Sequence, residues 1–203
     1  MCVIARQLED KAALTEGMFS GQRCFIACTG PSLTGFDWSR LAGETVIAMN
    51  HSILHIEPTV AITMDRQYHT QWMKNELDEA MCRRVQQLPH MIVRPNTYPV
   101  PKDSSVSSLY LATWLGGSPI YLLGCDLKFG PGGEHHFHGL MNTYPYYLDK
   151  IKIWMEEFAE SYKGPCKIIN LNPDSRLRCF EFGNIDEVLK RSDSGGDHNH
   201  SRL

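Results

Sequence analysis

Apolar residues along this chain come in short, mostly apolar runs rather than in strict alternation with polar ones. The runs lie at residues 23–28, 45–49, 59–64, 90–94, 119–123 and 166–171. A run without alternation predicts a strand covered on both faces, which is the signature of a parallel sheet. Between the runs stand segments rich in helix formers, predicting helices over 7–18, 67–87, 104–116, 144–162 and 183–191. Pro31 and Ser32 suit the opening of a short helix after the first strand. The Pro-rich stretch 95–102 reads as a loop, the glycine-rich stretch 130–139 as another, and Gly116-Gly117 as a helix stop. Strand and helix alternate and no period of about 20 to 50 residues recurs, so the expected fold is α/β and Rossmann-like, a mostly parallel sheet flanked by helices. A single domain over 1–191 is expected, with 192–203 a disordered polar tail whose His198 and His200 are incidental.

The polar residues that end these runs are the chemically informative ones. Thr29-Gly30 follow the first strand, Asn50 the second, Asp65 the third, and Asp126 the strand at 119–123. In an open parallel sheet, ligands bind beyond the carboxyl ends of the strands, so these residues are expected to line one crevice. Gly30-Pro31-Ser32 has the makings of a phosphate turn, since glycine permits close backbone approach and a helix start offers free N–H groups. The same tripeptide serves as an ordinary tight connection. Ser104 and Ser105 open a predicted helix, where one hydroxyl is needed for capping and another is spare for a phosphate or ribose.

His135, His136 and His138 sit in the glycine-rich loop, where an imidazole titrating near neutral pH suits general acid or base work. An exposed polar loop and a metal cluster with Glu134 and Asp126 are the competing readings. One catalytic histidine, His138 first, is preferred to zinc. Tyr144, Tyr146 and Tyr147 stand between this loop and the next helix, within reach of a substrate, whereas Trp114, Trp154 and Phe158 fall at core positions.

Composition narrows the classes. At 203 residues with 42% hydrophobic content, the chain supports one substantial core. Its 20 basic and 23 acidic residues give a net charge of -3, which excludes the broad basic surface of a non-specific nucleic-acid binder. Seven cysteines without a C-x-x-C pair read as reduced and mostly buried, with Cys24 and Cys28 on one strand face. No run reaches the ~18 apolar residues of a membrane span, and the apolar run at the N-terminus is too short for a signal peptide, so a cytoplasmic protein with no membrane partner is expected.

The sequence Gly30-Pro31-Ser32-Leu33, then Phe36-Asp37-Trp38-Ser39-Arg40-Leu41 and Asn50, resembles the N-terminal signature of the bacterial sialyltransferases of glycosyltransferase family 42. Ser104, Ala112-x-x-Leu115-Gly116 and Ile120-Tyr121-Leu122-x-Gly124-x-Asp126 resemble that family's second nucleotide-contacting block. The same blocks are similar to MptE-like proteins, which include pterin pyrophosphokinases. Residues 129–139 and 168–180 are most similar to uncharacterised phage and bacterial members. The chain departs from the sialyltransferases at Thr29, where they carry Asn, and in the histidine loop, where they carry tyrosines.

The resemblance implies a nucleotide-sugar-dependent glycosyltransferase. A donor nucleotide would lie over Thr29, Gly30, Pro31 and Ser32. Asn50, Ser104 and Ser105 would hold ribose or phosphate, and Gly124 would allow close approach. Asp65 or Asp126 would touch the sugar or a Mg²⁺, His135, His136 and Tyr144 would contact substrate, and His138 would deprotonate the acceptor. No cofactor is required on this reading. An ATP- and Mg²⁺-dependent pyrophosphokinase and a non-catalytic nucleotide-binding module are the alternatives. The acceptor is open between a glycan, a small molecule and a modified nucleotide or DNA base, and the oligomeric state is open.

Overall fold

The apolar runs become the strands of one parallel sheet. The structure is a computed structural model that describes residues 14–64, 91–93, 103–139 and 145–193. Its strands are β1 (Cys24–Ala27), β2 (Thr45–Met49), β3 (Val60–Thr63), β4 (Met91–Val93), β5 (Ile120–Leu123), β6 (Ile168–Asn170) and β7 (Glu181–Phe182). They pair in the order β4-β3-β2-β1-β5-β6-β7, every pair parallel. The helices are α1 (Ser104–Trp114), α2 (Pro145–Ser161) and α3 (Ile185–Asp193). Short 3-10 helices follow β1 (Pro31–Leu33 and Trp38–Leu41) and β2 (Asn50–Leu54). The expected α/β, Rossmann-like architecture is observed.

The two-residue period of the strands explains why β1 had to be apolar on both faces. In β1, Cys24 and Ile26 face one core with Cys28, Leu109, Leu111, Met155 and Phe158. Phe25 and Ala27 face the other with Leu33, Leu41, Val46 and Ile53, against which Val188 and Leu189 of α3 pack. Neither face of β1 is open, so neither set of alternate residues is polar. Cys24 and Cys28 therefore share a face, as their spacing predicts, and burial pushes the Cys24 thiol up to about 12, with Cys166 adding to the shift. Phe158 joins the core, with Trp114 and Trp154 packed half-buried against it.

α1 ends where the glycine pair predicts. Gly116 turns left-handed at φ +80°, its N–H donates to the Thr113 carbonyl and the Gly117 N–H donates to Ala112, which is a Schellman closure. The carbonyls left over at this end govern the chain before β1. Gly17 N–H donates to Trp114 O at 3.1 Å and Phe19 N–H to Leu115 O at 2.6 Å. With those amides engaged and Gly17 at φ +74°, residues 14–18 form irregular chain and turns rather than the end of the helix expected over 7–18. The rest of that segment, the helix expected over 67–87, the 95–102 loop and most of the tail lie outside the described residues. α3 continues to Asp193, into the start of the expected tail, and β7 has no counterpart among the expected strands.

The chain runs outward from β1 to β4 and then returns to β5 on the other side of β1. That reversal opens a crevice beyond the carboxyl ends of β1 and β5. Replacing Phe158 by Ala, which removes a 1%-exposed ring packed edge-on to Tyr110 and stacked on Tyr162, should cost about 3–5 kcal/mol in urea unfolding. Ile153→Ala, at a side chain 52% exposed on the same helix, should change stability by less than about 0.5 kcal/mol. Equal effects of the two would mean that Phe158 is not part of the core.

Candidate functional site

The crevice holds a cavity of about 300 Å³, at the small end of ligand sites. Thr29 and Gly30 enter it after β1, Asn50 after β2, Ser104 and Ser105 at the head of α1, and Gly124 and Asp126 after β5, with His135 and His136 from the glycine-rich loop. Residues chosen from separate parts of the sequence thus converge on one cavity. Pro31, Ser32 and His138 stand beside it rather than in its wall. Asp65 and Tyr144 lie outside the described residues.

Asp126 is 1% exposed and fully engaged in joining loops. Its Oδ2 accepts from the Ser32 N–H at 2.6 Å, and its Oδ1 accepts from Ser32 Oγ and from Asn172 Nδ2, each at 2.6 Å. The Asp126 carbonyl accepts from the Arg176 N–H at 2.9 Å. Ser32 therefore directs both donors expected for a phosphate into the protein's own carboxylate. Beneath this clamp the Gly30 N–H donates to Gly124 O at 2.9 Å. A Cβ on Gly30 would lie 2.4 Å from that carbonyl oxygen and 2.6 Å from the Asp126 carboxyl, which is why no larger residue fits.

Asn50 takes φ +50°, a left-handed conformation that Asn tolerates better than most residues. Its Oδ1 accepts from Thr63 Oγ1 at 2.7 Å, so its NH₂ is the end left for a ligand. Ser104 Oγ accepts from the Met64 N–H at 2.9 Å and keeps its hydroxyl hydrogen. Ser105 differs: its N–H donates to Asp103 Oδ1 at 2.8 Å and its hydroxyl donates to the same oxygen. Asp103 is the N-cap of α1 and a cavity residue, and its Oδ2 accepts from Tyr147 Oη at 3.3 Å. Asp103 is absent from the residues expected at the site, although an Asp directly before a serine run is a recognisable cap signal. Lys128, the cationic side chain among the described cavity residues, and Asn172 are likewise additions made by the structure.

The histidines form a contiguous cluster. Thr29 Oγ1 and His136 Nδ1 are 2.8 Å apart, and His136 Nε2 and His135 Nδ1 are 2.8 Å apart. His138 stacks on His136 with centroids 4.9 Å apart and planes at 8°, and on His51 at 4.0 Å. Burial, reinforced by His135 and His138, pushes His136 down to about 3. Burial, with His51, His55 and His135, pushes His138 down to about 4. His135 is also lowered by burial, while Asp103 and Asp126 oppose the shift. Burial thus keeps His135, His136 and His138 in the neutral form at pH 7, with a bare ring nitrogen on each. Among the described residues no group of three His, Cys, Asp or Glu side chains is arranged to hold a metal ion. The three hydrogen bonds on the Asp126 carboxylate leave it little capacity to coordinate a Mg²⁺.

With this geometry in view, solved structures offer a comparison. The sialyltransferase CstII from Campylobacter jejuni, in complex with the substrate analogue cytidine-5'-monophosphate, matches with a TM-score of 0.50 at 16% identity, covering 80% of this chain and 85% of that one. The MAf glycosyltransferase from Magnetospirillum magneticum AMB-1 matches with a TM-score of 0.53 at 12% identity, covering 96% of this chain and 40% of that one. The chain shares their fold. No protein-family model matches the sequence, and no curated protein matches it. Among the described residues no helix is long and apolar enough to cross a membrane.

Two outcomes follow from the site. Asp126→Ala leaves the Ser32 and Asn172 donors without their acceptor and should lower stability by about 2–4 kcal/mol in denaturant unfolding; no loss would mean that the clamp is not formed. The depressed histidines give a pH signature. Unfolded histidines bind a proton near pH 6.5 whereas folded His136 and His138 do not until about 3 and about 4. Stability is therefore complete above pH 6.5 and declines as pH falls below it. Thermal melts between pH 7.5 and 5 should show this decline, and His136→Gln should flatten it. A melting temperature unchanged over that range would contradict the buried neutral cluster.

Proposed function

We propose that this protein transfers a sugar from a nucleotide-linked donor to an acceptor hydroxyl. The observation that carries this reading is the convergence of Thr29, Gly30, Asn50, Ser104 and Gly124 with neutral loop histidines in one cavity at the sheet's switch point. The fold shared with two glycosyltransferases supports it. Nucleotide and phosphate lie along the Thr29-Gly30 turn, where the close Gly30–Gly124 approach keeps side chains out of the way. Asn50 offers its NH₂ and Ser104 its hydroxyl to ribose or phosphate oxygens. Asp126 acts as a positioning residue that holds the Ser32 turn against the loop after β5. A cytidine monophosphate-linked sugar is the first donor to test, because CstII was solved with cytidine monophosphate.

The reaction needs a group that removes the acceptor's proton as its oxygen attacks the anomeric carbon. A neutral imidazole from the histidine loop supplies it. His138, the first choice from sequence, is stacked behind His136, so His135 and His136 are the imidazoles at the cavity wall.

A thermal-shift panel of nucleotides and nucleotide sugars tests the reading. A ligand at 100 times its dissociation constant should stabilise the protein by about 2.7 kcal/mol. A shift with a CMP- or UDP-linked sugar, followed by acceptor-dependent release of free nucleotide, supports transfer. A shift with ATP and Mg²⁺ alone would replace this reading by phosphoryl transfer, and tight nucleotide binding without turnover would leave a binding module.

A further inference from the structure

Three side chains in the cavity wall form a continuous hydrogen-bonded series: Thr29 Oγ1 to His136 Nδ1, and His136 Nε2 to His135 Nδ1, each at 2.8 Å. Each histidine is neutral and so carries one N–H and one bare nitrogen. The inner bond joins Nε2 of one ring to Nδ1 of the other, so only one of these two nitrogens bears hydrogen. If it is His136 Nε2, then His136 Nδ1 is bare and accepts from the Thr29 hydroxyl, and His135 carries its hydrogen on Nε2. If it is His135 Nδ1, then His136 carries its hydrogen on Nδ1 and donates to Thr29 Oγ1, and His135 Nε2 is bare. The two rings must share one tautomer, and Thr29 determines which by donating or accepting.

We propose that Thr29, His136 and His135 act as a unit in which His135 Nε2 takes the proton of the acceptor hydroxyl, with His136 and Thr29 as positioning residues that set its tautomer. This proposal rests on the transferase reading. In the active setting His135 Nδ1–H donates to His136, and His136 Nδ1–H donates to Thr29. The Thr29 hydroxyl then turns its own hydrogen to the cavity. The acceptor O–H bond breaks and an N–H bond forms at His135 Nε2. The freed oxygen pair forms the bond to the anomeric carbon, and the bond from that carbon to the donor phosphate breaks, its electron pair leaving with the phosphate.

The charge balance places the proton at His135 rather than deeper in the cluster. His135 has carboxylates on one side, Asp103 and Asp126, which favour an imidazolium. His136 faces imidazoles at His135, His138 and His51, all of which disfavour a second charge. His138 likewise faces His51, His55 and His135. A hydroxyl suits the end of the series because it both donates and accepts, so it supports either tautomer without moving its backbone.

The test reads tautomers directly. In the full chain labelled with ¹⁵N-histidine, long-range ¹H–¹⁵N spectra distinguish the two forms, with His135→Gln and His136→Gln assigning the signals. Wild type should show both rings in the same tautomer. Thr29→Val should release His135 into a mixture, and Thr29→Ser should restore the single form. Opposite tautomers in wild type, or a His135 signal indifferent to Thr29→Val, would overturn the unit. In turnover with a nucleotide sugar, His135→Gln should lower kcat by about 10² or more with little change in donor KM, and Thr29→Val should give a smaller fall confined to kcat. If wild type transfers sugar and His135→Gln keeps full kcat, the proposal fails and the transferase reading stands. If the tautomers are locked and no nucleotide sugar is consumed, the transferase reading fails and the positioning unit stands.

Discussion

The site depends on one buried carboxylate. Asp126, at 1% exposure, accepts from the backbone and side chain of Ser32 and from the side chain of Asn172. Those partners lie in the loops after β1 and β6, and Asp126 itself lies in the loop after β5, so a single side chain ties together the ends of three adjacent strands. A buried charge is tolerated there because short charge-assisted hydrogen bonds replace its hydration. The clamp also explains the two glycines beneath it. With the loops drawn this close, Gly30 has no room for a Cβ, and Gly124, at φ +71°, has Leu33 2.4 Å from where one would sit. The cavity's floor is therefore backbone, the surface best able to approach a ligand closely.

The electrostatics of the cavity look unfavourable to an anion at first sight. Asp103 and Asp126 line the cavity together with Lys128, and the head of α1, where a bare helix end would favour phosphate, is closed by its own Asp103 cap. A phosphate entering here gains less from fixed positive charge than it would at a bare helix end. On the proposed reading, the same carboxylates act differently once transfer begins. They favour a proton arriving on His135, where burial alone disfavours it. Charge developing in the proposed transfer would then be met by charge already in place, which lowers a barrier more than tight binding of the resting donor would.

How much of this is legible in the sequence differs by element for physical reasons. β1, β2 and β5 are evident because a strand covered on both faces has no position free to be polar, and the residues that end them are evident because polarity begins where cover ends. Residues 14–18 read as the end of a helix because the composition of 7–18 favours helix, while their conformation is set by hydrogen bonds to the end of α1, distant in sequence. β7 has two exposed residues and no pattern to read. Within the site, sequence identifies Ser32, Ser105 and Asp126 but not their partners. Ser32 and Ser105 serve carboxylates of the protein itself, an outcome set by tertiary proximity and invisible in spacing. The histidine loop is evident, yet its order is not: in H-H-x-H nothing shows which ring reaches the wall and which stacks behind it.

Thr29 shows why a shared fold does not fix the chemistry. Its position, the first polar residue past the central strand, is dictated by the sheet, and its carbonyl accepts from the Phe137 N–H at 3.0 Å, drawing the histidine loop over the cavity. Any residue provides that carbonyl. The side chain is what couples the loop to the turn. A carboxamide there would carry acceptor and donors on different atoms, and would have to turn its whole plane to change role. A hydroxyl rotates between the two roles on a single atom, so proton position in the loop responds to what else Thr29 contacts. The backbone thus brings turn and loop together, and on the proposed reading one rotatable O–H sets the tautomer of the histidines.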